Sequence, residues 1–314
     1  MPAREFARLL TLAGLWGGSF AFIRVAVPSV GPFWLAFLRV ALAFGALFAL
    51  ALAKRNVPRL LDRWRDYLVI GAVNSAFPFA LYCFAEQYVT ASTAAILNAT
   101  SPFFGATVAA LWLKEPLTLR QLGGMTLGLA GVALLVGWEG ESLSGMTLVA
   151  MLACLGAALC YGIASVYAKA RMSDVPSASI ALYSQLTASV VLAPAVVVAP
   201  VPASPSPIVV ANVLALALAS TALAYLLYFR LIASIGPARA LTVTFLIPLF
   251  GLLWGIAFLG EPIAASTLSA CALILAGTWL ATRQATAPVA GTPDLENRQT
   301  NSAAGPKTCA RSSR

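Results

Sequence analysis

Ten apolar stretches, each long enough to cross a bilayer, constrain this chain more than any other feature. They cover residues 7–27, 33–53, 67–87, 91–113, 121–138, 145–168, 178–199, 208–230, 239–259 and 265–282. A hydrocarbon core about 30 Å thick takes roughly 20 helical residues. Lipid offers no partner to an open backbone, so such stretches fold as helices. With the N-terminus inside, every Lys and Arg except Arg24 and Arg39 falls on the inner side or at a span end that meets it. The segment 54–66 alone carries Lys54, Arg55, Arg59, Arg63 and Arg65, while the outward loops 139–144 and 200–207 carry no base. Basic loops stay on the cytoplasmic side during insertion. The expected product is an all-α, multi-pass protein of the cytoplasmic (inner) membrane with both termini cytoplasmic.

Composition excludes most alternatives. The chain is 60% hydrophobic and 10% charged, against roughly 25% charged in a soluble domain, so no extramembrane domain fits. Residues 284–314 are polar without apolar period and read as a disordered cytoplasmic tail. The net charge of +9 is spread over inside loops and the tail, a topology signal rather than a nucleic-acid surface. There is no His, and Cys83, Cys154, Cys160, Cys271 and Cys309 form no C-x-x-C pair. No metal or cofactor is therefore expected. A Gly-x4-Gly-Lys-Ser/Thr loop is lacking, which disfavours direct ATP drive. Arg4 and Arg8 precede an apolar run that is too long for a signal-peptide core and contains Arg24, so it reads as a retained first span.

The sequence also matches itself. At an offset of 146, Leu81-Tyr82 falls on Leu227-Tyr228, Pro102 on Pro248, and Phe104-Gly105 on Phe250-Gly251. Leu113-x-Glu115-Pro116 falls on Leu259-x-Glu261-Pro262, and Leu129-Ala130-Gly131 on Leu275-Ala276-Gly277. An offset of 145 adds Trp16-Gly17 on Tyr161-Gly162 and Arg24 on Lys169. The expected organisation is two five-span repeats, residues 1–143 and 144–283, followed by the tail. Five crossings force the second copy to enter from the opposite side. Glu115 lies beside Lys114 and Arg120, whereas Glu261 has no base beside it, as inversion requires. Inverted repeats are an architecture of secondary transporters.

Leu15-Trp16-Gly17-Gly18-Ser19-Phe20 with Arg24 resembles the opening of EamA-type members of the drug/metabolite transporter superfamily. Phe37-Leu38-Arg39, Glu115-Pro116, Tyr228-Phe229-Arg230, Gly236 and Leu246-Ile247-Pro248 extend the resemblance over residues 9–282. It implies ten helices, cytoplasmic termini and export of amino acids or other small metabolites by alternating access. It also implies that spans one to four and six to nine line a central cavity, with five and ten outside it.

Site candidates follow from depth. Pro78, Pro102 and Pro248 sit mid-span and free carbonyls one turn earlier, either as hinges or as plain packing kinks. Asn74, Asn98, Ser101 and Thr244 lie at similar depth, as do Ser75, Thr221 and Thr242; each hydroxyl either faces a cavity or bonds its own helix. Trp16, Tyr161, Tyr82 and Tyr228 are matched aromatics with polar ends, suited to a mixed ligand. Arg39, inside span two, either binds a substrate carboxylate or phosphate, reaches outward, or pairs with a helix-end carbonyl. Glu86 either carries a coupling proton or pairs with Arg24. No acid lies in spans one or two, which disfavours small-multidrug-type exchange. Paired acids for a membrane enzyme and a charged ring for a channel are both lacking. A secondary transporter of a small molecule is the favoured reading, with a channel-like permease or receptor as the alternative. Substrate identity, direction, coupling ion and whether two copies associate as a homodimer stay open.

Overall fold

The computed structural model describes residues 2–55, 57, 60–138, 145–200, 204–235 and 243–282. The loop 139–144, Gly236, Thr242 and the tail 284–314 lie outside them. Among the described residues every regular element is helical and no strand occurs. In chain order they are α1 (Ala3–Val30), α2 (Pro32–Ala53), α3 (Trp64–Ala85), α4 (Ala91–Trp112), α5 (Leu119–Trp138), α6 (Gly145–Arg171) and α7 (Ser177–Val198). Then come α8 (207–235), α9 (Val243–Leu259) and α10 (Ala265–Thr282).

Seven of these, α1 to α4 and α6 to α8, are long and apolar enough to cross a membrane, while α5, α9 and α10 contain shorter apolar helices. Each of the three abuts residues outside the described set, and α9, Val243–Leu259 against an expected 239–259, is shortened at that boundary. Outward faces are apolar: Leu119 is 88% and Val198 84% exposed. Surfaces of that kind belong in lipid, since soluble proteins rarely expose large contiguous apolar patches.

Local sequence sets the joints. Gly31, at φ 78°, ends α1 with its N–H on the Val27 carbonyl, and Pro32 opens α2 with a pre-set φ. Two helices contain π-helical turns, Ala72–Ala76 in α3 and Ala215–Leu223 in α8. Such turns leave backbone carbonyls free for side chains. α4 is broken at Ala99–Thr100 into Ala91–Asn98 and Ser101–Trp112, with Pro102 at the start of the second piece.

The packing repeats the sequence offset. α1 packs on α9 and α8, and α6 packs on α4 and α3; α2 packs on α7 and α5 on α10. A Cβ added at Gly17 would lie 2.6 Å from Phe250 Cβ and 2.9 Å from Gly251 N, and one at Gly162 2.9 Å from Phe104 Cβ and 2.7 Å from Gly105 N. A Cβ at Gly277 would meet Gly124 O and Gly128 N, and one at Gly131 would meet Ala270 O and Ile274 N. Each pair of contacts is related by about 146 residues. The two Leu-x-Glu-Pro corners share a backbone: Lys114 has φ 56° and Gly260 φ 64°. Glu115 N–H donates to Ala109 O at 3.5 Å, and Glu261 N–H to Gly255 O at 3.1 Å.

Candidate functional site

The polar side chains inside the bundle gather where the π turns and the α4 break fall. Arg39 on α2 is 5% exposed. Its Nε donates to Thr221 Oγ1 at 3.0 Å, and its guanidinium carbon stacks 3.6 Å above the centre of the Phe79 ring. The π turn of α8 holds Thr221 in place, because its hydroxyl bonds the Leu216 carbonyl five residues earlier. Neither amino group of Arg39 bonds any described residue. Tyr161, Cys83, Tyr225 and Glu86 lie within reach of its charge.

A neutral counterpart faces this arrangement. Gln185 on α7 is fully buried, and its Nε2 donates to Ser75 Oγ at 3.1 Å and Ser184 Oγ at 3.3 Å. Its Oε1 is buried without a hydrogen-bond partner. Ser75 lies in the π turn of α3, next to Asn74, whose amide donates to the Tyr225 hydroxyl at 2.9 Å. Tyr82 donates to Asn98 Oδ1 at 2.9 Å, at the last residue before the α4 break. Aromatic rings wall the cluster: Trp16 meets Tyr228 at 5.3 Å between centres, and Tyr161 meets Tyr82 at 6.4 Å. Such rings suit a ligand part apolar and part polar.

At one end of the bundle, Glu86 is fully buried and neither carboxylate oxygen has a partner. Arg24 bonds the Glu86 backbone carbonyl, not its carboxylate. Glu261 is held there too, accepting from Ala91 N at 2.8 Å and Ser92 N at 3.1 Å, and from the Ser92 hydroxyl. No group of three or more metal-ligating residues occurs among the described residues.

The profile of the EamA-like transporter family matches residues 7–137 and again 148–283. The chain belongs to that family. It is thus a multi-pass membrane transporter of a small molecule and not an enzyme. It is similar to the uncharacterized transporter YvbV of Bacillus subtilis, 26% identical over 88% of this chain and 90% of that one. It is also similar to a probable amino-acid metabolite efflux pump of Salmonella typhimurium, 28% identical over 89% and 95%. A solved crystal structure is alike in fold, with a TM-score of 0.63 and 20% identity over 90% of this chain and 97% of that one.

In this EamA-like transporter the residues expected from sequence divide. Arg39, Asn74, Tyr82 and Asn98 take part in the interior bonds, and Trp16, Tyr161 and Tyr228 line them. Arg39 does not reach outward, because Thr221 and Phe79 hold it inside. Of the two alternatives for Glu86, the carboxylate pair with Arg24 is not formed, since Arg24 satisfies a helix-end carbonyl instead. Ser101 turns back to the Asn98 carbonyl at 2.6 Å. Thr244 is half-buried one turn before Pro248, itself buried within α9, and Pro78 is buried just after the α3 π turn. Sequence reading missed Phe79, Tyr225 and Gln185 altogether. The offset held the signal, because 79 falls on 225 and 39 on 185.

Proposed function

We propose that this protein is a secondary transporter of the cytoplasmic membrane that exports a small carboxylate-bearing metabolite, an amino acid or related compound, by alternating access. Ten apolar segments form two five-helix repeats, residues 1–143 and 144–283, inverted to each other, with both termini cytoplasmic. The charge asymmetry of the loops supports the orientation, and the family profile matching once in each half supports the duplication. The main helix pairings, α1 with α8 and α9, α6 with α3 and α4, α2 with α7 and α5 with α10, are unchanged when each helix is exchanged for the one five later. α5 and α10 cross antiparallel, Gly124 meeting Gly277 and Gly131 meeting Ala270, as two copies inverted about an in-plane axis must.

The observation that carries the substrate reading is Arg39: a buried cation whose two amino groups bond no described residue. A charge at that depth is costly without a partner, and a carboxylate of the substrate supplies one. The printed role of the Salmonella relative, an amino-acid metabolite efflux pump, agrees with that class. Alternating access is supported by α4 and α9. The outer piece of α4, Ala91–Asn98, packs on α9, and the inner piece makes no comparable contact with the described part of α9.

Glu86 is assigned the coupling proton. Burying a carboxylate without a donor costs several kcal/mol or more, so the proton belongs on it in this state. Arg24, Arg39 and Glu261 face it from neighbouring elements, with Cys154 on α6 and Tyr82 and Cys83 on its own helix. The test compares culture media with and without overexpression across all metabolites. An amino acid or related carboxylate should accumulate outside; accumulation of only cationic or uncharged compounds sinks the substrate class. Release of that compound should quicken as the medium is acidified, and Glu86→Gln should flatten the response. An unchanged pH response in Glu86→Gln removes the proton from Glu86.

A further inference from the structure

Arg39 and Gln185 are counterparts at an offset of 146, and so are their partners Thr221 and Ser75. The bond from Arg39 Nε to Thr221 Oγ1 at 3.0 Å is thus repeated by the bond from Gln185 Nε2 to Ser75 Oγ at 3.1 Å. Both bonds anchor a side chain to a π turn, and among the described residues they leave the rest of its head group unused: two cationic amino groups on Arg39, one carbonyl oxygen on Gln185. α2, which carries Arg39, packs on α7, which carries Gln185, and Asn74, next to Ser75, donates to the Tyr225 hydroxyl at 2.9 Å, which puts the two head groups in one cluster.

We infer that Arg39 and Gln185 are the two poles of one ligand site: Arg39 takes a carboxylate and the Gln185 carbonyl takes an ammonium or other N–H. This rests on the transport reading above and narrows it. A ligand that satisfies both poles carries an acceptor anion and a nearby N–H donor, as a 2-amino acid does. A phosphate ester or dicarboxylate would leave the Gln185 oxygen facing an anion. Buried polar groups reject analogues that leave them unpaired.

The test is ligand-induced thermal stabilisation of the purified full-length protein. A panel of 2-amino acids is compared with the same acids lacking the amine. The wild type should bind the amino form about tenfold or more tightly. Gln185→Met, close in volume, should bind both forms alike, and Gln185→Glu should sharpen the preference. A preference kept in Gln185→Met, or a wild type that favours the deaminated acid, overturns the Gln185 assignment. Failure of both forms to bind the wild type overturns the Arg39 reading instead.

A second inference rests on a separate observation. Glu261 caps the first turn of α4, adding to the cap that Thr90 gives Thr93 N. Its counterpart Glu115 is in another state: exposed by half and ion-paired to Lys169 at 2.6 Å. Lys169 is the counterpart of Arg24. The carboxylate of each corner thus has two partners, the amides of a facing helix or a basic residue. We propose that Glu261 is a latch that holds α4 and α9 together at the outer end and releases when the transporter opens outward. Glu115 is its inner twin, released in this structure.

The reporter is native Cys83, fully buried in α3 one turn before Glu86, with the other four cysteines replaced by Ser and Val89→Cys as a second reporter. Each is labelled in vesicles of either orientation with a membrane-impermeant maleimide. Glu261→Gln should raise labelling from outside about tenfold, since it weakens charge-assisted bonds, and Glu115→Gln should lower it. Ser92→Ala, which removes one of the three bonds, should raise it less and serves if Glu261→Gln fails to accumulate. Equal labelling in all variants, or a rise in both Gln variants, refutes the latch. The same opposed pattern seen from the cytoplasmic side keeps the latch and overturns the orientation proposed above.

Discussion

Arg39→Gln should cut export by at least about 100-fold while leaving the protein folded and in the membrane. Truncating one partner of a buried, hydrogen-bonded charge pair costs about 2–5 kcal/mol, and each 1.4 kcal/mol is tenfold. The same change removes an unpaired cation from the interior. It should therefore leave the thermal stability of the ligand-free protein unchanged or higher, as replacement of buried charges often does. Loss of transport with no loss of stability separates a binding role from a packing role. Arg39→Lys should not restore activity. The guanidinium bonds Thr221 through Nε and stacks on Phe79 at 3.6 Å, and an ammonium offers neither the fork nor the plane. The measurement is the rate at which the exported compound appears in the medium, normalised to protein in the membrane fraction. Undiminished export by Arg39→Gln at wild-type abundance would remove Arg39 from the site.

How far this site was legible in the sequence depended on the kind of signal. Charge placement and the offset of 146 are backbone-scale regularities, and they reached the helices, the Glu-Pro corners and the Gly contacts. The corner at Lys114 shows the strength of that register: Lys114 adopts φ 56° where its twin Gly260 adopts 64°, a conformation a non-Gly residue seldom takes. Depth alone picked out Arg39, Asn74 and Asn98. It missed Gln185 because a neutral amide at an Arg's counterpart position resembles the Arg neither in charge nor in shape. What twin positions preserve here is a role, a polar head bonded to a π-turn hydroxyl, while the charge is kept in one copy only. The π turns were not legible either. Pro78 marks the first, since a missing N–H invites a shifted bond, but the π turn at Ala215–Leu223 contains no proline. The Glu261 cap is long-range, joining residues about 170 apart, and no local pattern announces it.

Gly277→Ala should lower stability by up to about 2 kcal/mol, and Gly277→Leu or Gly17→Leu should leave little folded protein. In lipid no hydrophobic drive holds helices together, so association depends on close van der Waals contact through small residues. A Cβ at Gly277 would stand 2.5 Å from Gly124 O and 2.6 Å from Gly128 N, and one at Gly17 2.9 Å from both Gly251 N and Ile247 O. These neighbours are backbone and cannot rotate away, so the helices must part. Overpacking of this kind costs about 1–3 kcal/mol per added group, set against a gain of about 1 kcal/mol from replacing Gly by Ala in a helix. Gly45 supplies the control. It is exposed on α2, and an added Cβ meets nothing within 4 Å, so Gly45→Ala should raise stability by up to about 1 kcal/mol. The sign of the change is thus set by the crossing partner and not by the residue type. Midpoints of thermal unfolding in detergent, read by retention of the monodisperse peak, distinguish the two cases. A Gly277→Ala protein as stable as Gly45→Ala would mean that α5 and α10 do not cross where Gly124 and Gly277 touch. The symmetry argued from that crossing would then lose its geometric basis.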